Sequence, residues 1–251
     1  MTEPFGARCD EFTTACKLTV KLALDPERET VLHFLDMIRR KFPALTQLRQ
    51  HDQRGLILEE SPHADGQCRS IRLNARGLRI ACRRPAKVGS LHALARLTLR
   101  QAPFHLTFSP IDYDALEASW AFELDYRGNH DQLVAETLMV DHPLWGFLAD
   151  DRVHHPIECQ PYLGVALSKS CDLQAYLEIR SRTTTYELRT GQYEKRPLTV
   201  TLRVRRYWGF GAPSDPATVY NDLVRIGETI AAERIVPQVV NPLADAIASR
   251  L

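Results

Sequence analysis

Between Cys16 and Leu24 apolar and polar residues alternate, with Leu18, Val20, Leu22 and Leu24 on one side and Thr19 and Lys21 on the other. That is the period of a strand with one buried face. Asp25 and Pro26 then supply an N-cap followed by proline at the first helical position, and Val31, Leu32, Leu35 and Ile38 recur at helical spacing up to Phe42-Pro43. Short strands are predicted at Leu56 to Glu60, Ser70 to Ala75 and Leu78 to Arg83, with a turn at Asn74 to Gly77 and a loop at Ser61 to Gly66. Ser90 to Arg100 fits two periods, a helix capped by Ser90 or a further strand through Leu97 and Leu99.

The second half follows a similar order. Ser119 to Tyr126 alternates as a strand, and His130 to Leu148 is helical but broken at His142-Pro143. Alternating segments follow at Tyr162 to Leu167, Leu173 to Arg180, Thr183 to Arg189 and Leu198 to Tyr207. In the last, Leu198, Val200, Leu202 and Val204 face inward against Thr199, Thr201, Arg203 and Arg205. Ser214, Asp215 and Pro216 start a long helix through Val219, Leu223, Ile226 and Ile230 to Ile235, which Pro237 must end or kink; Asn241-Pro242 opens a final helical turn or two.

These elements predict an α+β fold of antiparallel sheet meanders with flanking helices and a long C-terminal helix. The 251 residues divide into two strand-helix-meander units, 1–110 and 111–251, or form one continuous domain; both divisions fit the pattern. The order of strand, broken helix, meander and long terminal helix in the second half resembles the helix-grip proteins. That resemblance implies a curved sheet folded around the last helix, and a cavity for an apolar ligand between them.

Hydrophobic residues make up 44% and charged residues 25%, the balance of an ordinary packed protein. Met1 to Glu11 carries neither a secretory nor a transit signature, and no apolar run reaches the roughly 20 residues of a membrane helix. The expectation is a cytoplasmic protein. Cys9, Cys16, Cys68, Cys82, Cys159 and Cys171 form no CxxC pair and read as free thiols. Trp120, Trp145 and Trp208 read as core or rim packing.

Charge alters this ordinary picture. The net charge is only +1, yet Gly66 to Ile111 contains nine arginines and lysines and no acid, while Asp112 to Glu158 contains eleven acids against Arg127 and Arg152. Such segregation either pairs internally or makes a basic sheet face. Arg203, Arg205 and Tyr207 share one face of their strand, and Gln174, Tyr176, Glu178 and Arg180 one face of another. With Arg72, Arg76 and Arg79 from the basic segment, Arg203, Arg205 and Tyr207 are the candidate partner-binding residues, because arginine and tyrosine are enriched at interfaces and arginine grips anionic groups bidentately.

No P-loop, GxGxxG, GxSxG, HExxH or EF-hand pattern occurs, and Gly209-Phe-Gly211 reads as a loop turn. No catalytic residue and no cofactor is therefore assigned. Potential metal ligands are densest between Asp141 and Cys159, where His142, His154, His155 and Glu158 are the candidate set; as neighbours on a strand His154 and His155 would face opposite ways, unless Pro156 makes the backbone irregular. Cys159 near His155 is the one thiol–imidazole pair that proximity suggests.

The missing motifs favour a non-enzymatic binding or scaffold protein that offers an Arg- and Tyr-bearing sheet face to a macromolecule. A protein partner is preferred and a nucleic acid is the second candidate; self-association into a homo-oligomer also fits. The alternative is a helix-grip-like ligand binder or enzyme with its cavity between sheet and C-terminal helix and the His142 to Glu158 region at its mouth.

Overall fold

The computed structural model describes residues 4–24, 27–50, 55–61, 66–107, 109–150, 154–208 and 215–250. Along the chain lie β1 (Glu11–Val20), α1 (Arg28–Lys41), β2 (Leu45–Gln50), β3 (Leu56–Glu60), β4 (Cys68–Asn74), β5 (Gly77–Arg83) and α2 (His92–His105). The second half comprises β6 (Tyr113–Tyr126), α3 (His130–Leu138), α4 (Trp145–Leu148), β7 (Tyr162–Ala166), β8 (Leu173–Arg180), α5 (Thr185–Thr190), β9 (Arg196–Tyr207), α6 (Pro216–Ile230) and α7 (Asn241–Ala248). Among the described residues all strands join one nine-stranded antiparallel sheet in the order β2-β3-β4-β5-β1-β6-β9-β8-β7. The protein is thus an α+β fold. Each half places its first strand beside the last strand of its own meander, but the first meander has four strands and the second three.

Alternation decides which side of the sheet is covered. Cys16, Leu18, Val20, Leu116, Ala118, Trp120, Phe122, Leu198, Val200, Leu202 and Val204 form one buried layer with Phe34, Ile38, Leu94, Leu99, Tyr220 and Leu223 from the helices. The helices therefore pack on one face, and the other carries the polar partners of the same strands.

At the centre of the buried layer Trp120 is 1% exposed. A Cβ added at Gly227 of α6 would lie 2.0 Å from its ring, so the helix approaches the sheet as it does because glycine stands there. Gly77, at φ +137°, plays the analogous backbone role in the β4–β5 turn, where a Cβ would meet the Leu18 carbonyl at 2.0 Å.

The helix beginning at Pro216 is capped by the Asp215 carboxylate, which accepts from the Thr218 amide at 2.9 Å. Pro237 does not end it. The chain widens into a π-helical segment at Ala231–Val240, which absorbs the proline, and continues as α7. Asn241 then accepts from the Arg8 amide at 3.0 Å and donates to the Gly6 carbonyl at 3.2 Å, tying the two ends of the described chain together.

Several expectations need correction. Thr183 to Arg189 is not a strand: Thr184 and Glu187 form a reciprocal capping box that starts α5. Ser90 to Arg100 takes its helical alternative, running to His105 with Pro103 inside. β1 begins at Glu11 rather than Cys16 and stops before Leu22, which is exposed. β2 gave no clear signal, since its LTQLRQ sequence buries only Leu45. Asp25-Pro26, Ser214, Gly209-Phe-Gly211 and most of the Ser61 to Gly66 loop lie outside the described residues. None of the six cysteines is joined in a disulfide.

The start of α3 pins the loops around it through three buried polar residues. Asn129 caps the helix and donates to the Pro156 carbonyl at 3.0 Å. The Asp131 carboxylate accepts from the Cys159 amide and the Ser181 hydroxyl, both at 2.7 Å. His130 accepts from the Arg182 amide through Nδ1, leaving Nε2 to donate to the Tyr126 carbonyl, each at 3.3 Å. Both ring positions are occupied only in the neutral form.

Two stability predictions follow from these contacts. Gly227→Ala should destabilise the fold by about 1–3 kcal/mol, the usual cost of overpacking, and by less in a Trp120→Leu background; urea unfolding of the double-mutant cycle measures the difference. For His130, burial chiefly lowers the pKa, opposed by the Tyr126 hydrogen bond, Asp131 and Glu187, and reinforced by Arg196. As pH falls below the ordinary value of about 6.5, the unfolded chain takes a proton that the folded one refuses, so stability drops. Urea midpoints from pH 7 to 5 should fall more steeply in the wild type than in His130→Asn; parallel curves would refute this.

Candidate functional site

The helix-free face is organised in rows set by strand register. One row runs Arg72 (β4), Arg79 (β5), Lys17 (β1), Glu117 (β6), Arg205 (β9) and Gln174 (β8). The next runs Ser70, Ala81, Ala15, Ser119, Arg203 and Tyr176 across the same strands. Short side chains on β1 and β6 thus lie between long ones on β4 and β5 and on β9, leaving a groove of about 530 Å³.

Of the candidate partner-binding residues, Arg72, Arg76, Arg79, Arg203 and Arg205 all line this groove. Tyr207 sits at its end, its hydroxyl accepting from Arg205 Nη1 at 2.7 Å. The two Arg/Tyr strands are also neighbours, because Arg203 faces Tyr176 across β8 and β9. The Arg205 guanidinium lies 5.5 Å from the Tyr176 ring and 5.6 Å from the Tyr207 ring.

The arginines divide by partner. Arg205 binds Glu117 through Nε at 2.9 Å, and Arg203 is ion-paired with Glu178. Burial opposes the charge on Arg205, but the Tyr207 and Glu117 contacts outweigh it and raise its pKa. Burial likewise pushes Glu178 up, yet Arg180 and Arg203 overcome this and hold its carboxyl below the usual range. By contrast, Lys17, Arg72, Arg76 and Arg79 form no salt bridge with a described carboxylate. Arg76 reaches only the Lys21 carbonyl, at 3.3 Å. Partial burial and neighbouring Arg72 lower the pKa of Arg79, against the opposing pull of Glu117. Its charge is held where a nearby anion would be welcome.

Toward the other end of β1 and β6 both signs mix, with Arg49 and Arg83 among the acids. A second recess of about 560 Å³ adjoins the first through Thr13, Arg79 and Ala121, and includes Glu11, Glu59 and Glu123. Glu11 is bound by Arg84 at 3.1 Å and Arg83 at 3.6 Å, and Glu59 by Arg49 at 2.7 Å. Glu123 has no such bridge among the described residues; burial and then Glu11 raise its pKa.

Lys17 and Glu117 escaped the sequence-based selection. Their signal was present: each is a charged residue between two buried neighbours, Cys16 and Leu18 for one, Leu116 and Ala118 for the other.

The other candidate set does not assemble. Among the described residues no three or more His, Cys, Asp and Glu side chains meet as a metal requires. His154 and His155 line a recess with Glu136 and Trp145, His142 accepts from the Leu144 amide at 3.2 Å, and Glu158 is exposed. Cys159 is buried, its amide held by Asp131, and burial raises its thiol pKa, which opposes a nucleophilic thiolate. Between the sheet and α6, Trp120, Tyr220, Leu223 and Ala217 are all at most 1% exposed.

No described helix is long and apolar enough to cross a membrane. In comparisons with known proteins, no family model and no curated protein matches the chain.

Proposed function

We propose that this chain is a non-enzymatic binding or scaffold protein whose open sheet face receives an acidic region of a protein partner. The observation that carries the reading is the row Arg72, Arg79 and Lys17, three cations on adjacent strands with no described carboxylate bound to them, beside a groove floored by small residues. Neighbouring strands lie about 4.8 Å apart, so the row presents a dense positive field that an anionic surface would neutralise. Arg203 and Arg205 have their own carboxylates and serve as the ordered wall of the groove. A protein is preferred to a nucleic acid because acids share the same face, and Glu123, which has no described salt bridge, would repel a continuous phosphate backbone.

The test is fluorescence anisotropy of labelled oligoglutamate and of labelled oligothymidylate against the wild type and Arg72→Glu/Arg79→Glu. Oligoglutamate should bind, weaken as salt rises from about 50 to 300 mM, and lose about tenfold or more in affinity in the double variant. Arg234→Glu, an exposed change on the helical side, should have little effect. Tighter binding of oligothymidylate would replace the protein partner by a nucleic acid; binding of neither would sink the reading. Arg203→Glu and Arg205→Glu are unsuitable reporters, since each would set like charges against Glu178 or Glu117.

A further inference from the structure

On one side the sheet ends in β7, and no described strand lies beyond it. Its five residues, Tyr162, Leu163, Gly164, Val165 and Ala166, carry no charge and are all exposed. Sheets normally blunt such an edge with charge, proline or a covering element, because its unpaired backbone is a template for another strand.

Two sets of groups on β7 lack a partner. The Ile179 amide donates to the Pro161 carbonyl at 3.0 Å, and the Leu167 amide to the Leu173 carbonyl at 2.8 Å. Such pairs recur at every second residue of an antiparallel ladder, so Leu163 and Val165 turn their backbone groups toward β8. The amides and carbonyls of Tyr162, Gly164 and Ala166 therefore point out of the sheet. The second set is apolar. Leu163 and Val165 stand in register with Leu177 and Ala175 of β8, and through them with buried Leu202 and Val204 of β9. They face the helical side, yet α6 packs on β6 and β9 and leaves them 60% and 56% exposed.

A second copy of this chain fits both sets. With Gly164 opposite its own counterpart in an antiparallel pair, Tyr162 faces Ala166 and Ala166 faces Tyr162, so every outward donor meets an acceptor. The same register sets Leu163 against Val165, and Val165 against Leu163, in one apolar cluster on the helical side. Charge agrees with this symmetry. Glu158 precedes the strand and Lys169 follows it; both are exposed, and neither forms a salt bridge with a described residue. A two-fold axis brings Lys169 of each copy to the end where the other carries Glu158. The strand is thus complementary to itself, as an isologous interface requires.

We infer that two copies of this chain join edge to edge through β7, forming one continuous antiparallel sheet with its two-fold axis at Gly164. The helix-free faces of both copies then lie on the same side. The inference stands independently of the acidic partner proposed above. A strand of this length buries less than the roughly 800 Å² per partner of a standard interface, so association depends on concentration.

Sedimentation velocity from about 1 to 300 μM reads the monomer–dimer equilibrium. The wild type is compared with Val165→Lys, Ala166→Pro, Glu158→Lys and the double reversal Glu158→Lys/Lys169→Glu, each checked for an unchanged thermal melt. The wild type should pass from monomer to dimer as concentration rises. Val165→Lys puts a charge into the apolar cluster, and Ala166→Pro removes an outward amide while sparing the bonds to β8. Each should weaken the dimer at least about tenfold, or about 1.4 kcal/mol. Should Ala166→Pro lower the melt, Val165→Lys, at an exposed position, still decides. Glu158→Lys should weaken the dimer severalfold and the double reversal should restore it. A wild type that stays monomeric throughout, or a dimer indifferent to Val165→Lys, overturns the inference. Weakening by Glu158→Lys without recovery in the double reversal overturns the antiparallel two-fold arrangement.

Discussion

The pairing of β1 with β6 governs everything on either side of the sheet. From Glu11 against Glu123 to Lys17 against Glu117 the two strands run in unbroken antiparallel register, with an irregularity only at Thr19/Val20. This pairing joins the meander that carries Arg72 and Arg79 to the one that carries Arg203 and Arg205. A slip of β1 by one residue would send Lys17 into the core and bring Cys16 and Leu18 out to water, so hydrophobic burial fixes the register and the register fixes the charge pattern.

Electrostatics then follows strand order more than sequence order. The basic stretch from Gly66 to Ile111 does not simply neutralise the acidic stretch that follows it. Arg69 binds Glu60, Arg83 and Arg84 bind Glu11, and Glu117 is taken by Arg205 from far along the chain. On the helix-free face, Arg72, Arg79 and Lys17, cations without a described carboxylate, sit on the adjacent strands β4, β5 and β1. The two sheet edges differ as well. Outer strand β2 carries Arg49, bridged to Glu59, and a register irregularity, both ordinary protections of an edge. Outer strand β7 has no charged residue, and Leu163 and Val165 are 60% and 56% exposed.

Legibility in the sequence tracked how far local pattern determines conformation. β9 was readable because Leu198 to Arg205 alternates without exception and both faces have a consistent chemistry there. The candidate arginines could be placed on one side of their strands for the same reason, but that β5 lies three strands from β9 is a long-range fact with no local trace. Thr183 to Arg189 misled because a run of threonines followed by alternating Tyr186, Glu187, Leu188 and Arg189 imitates a strand, while the Thr184–Glu187 capping box supplies the stronger local hydrogen bonds. β2 was missed because an edge strand with five of its six residues exposed has no buried stripe to recognise. In the histidine-rich stretch, density in sequence places candidate ligands near one another but does not aim them, and among the described residues no three meet.

The wide turns around Pro237 set the angular phase of everything after them. An α-helix advances each residue by about 100°, so removing one residue from Ala231–Val240 would rotate α7 by roughly that angle, turning Leu243 and Ile247 away from the core they now enter. Asn241 would rotate with them and release Gly6 and Arg8. The position of the first described turn is thereby set by helical phase near the other end of the chain. Segment length there is under tighter constraint than the identity of most of its residues.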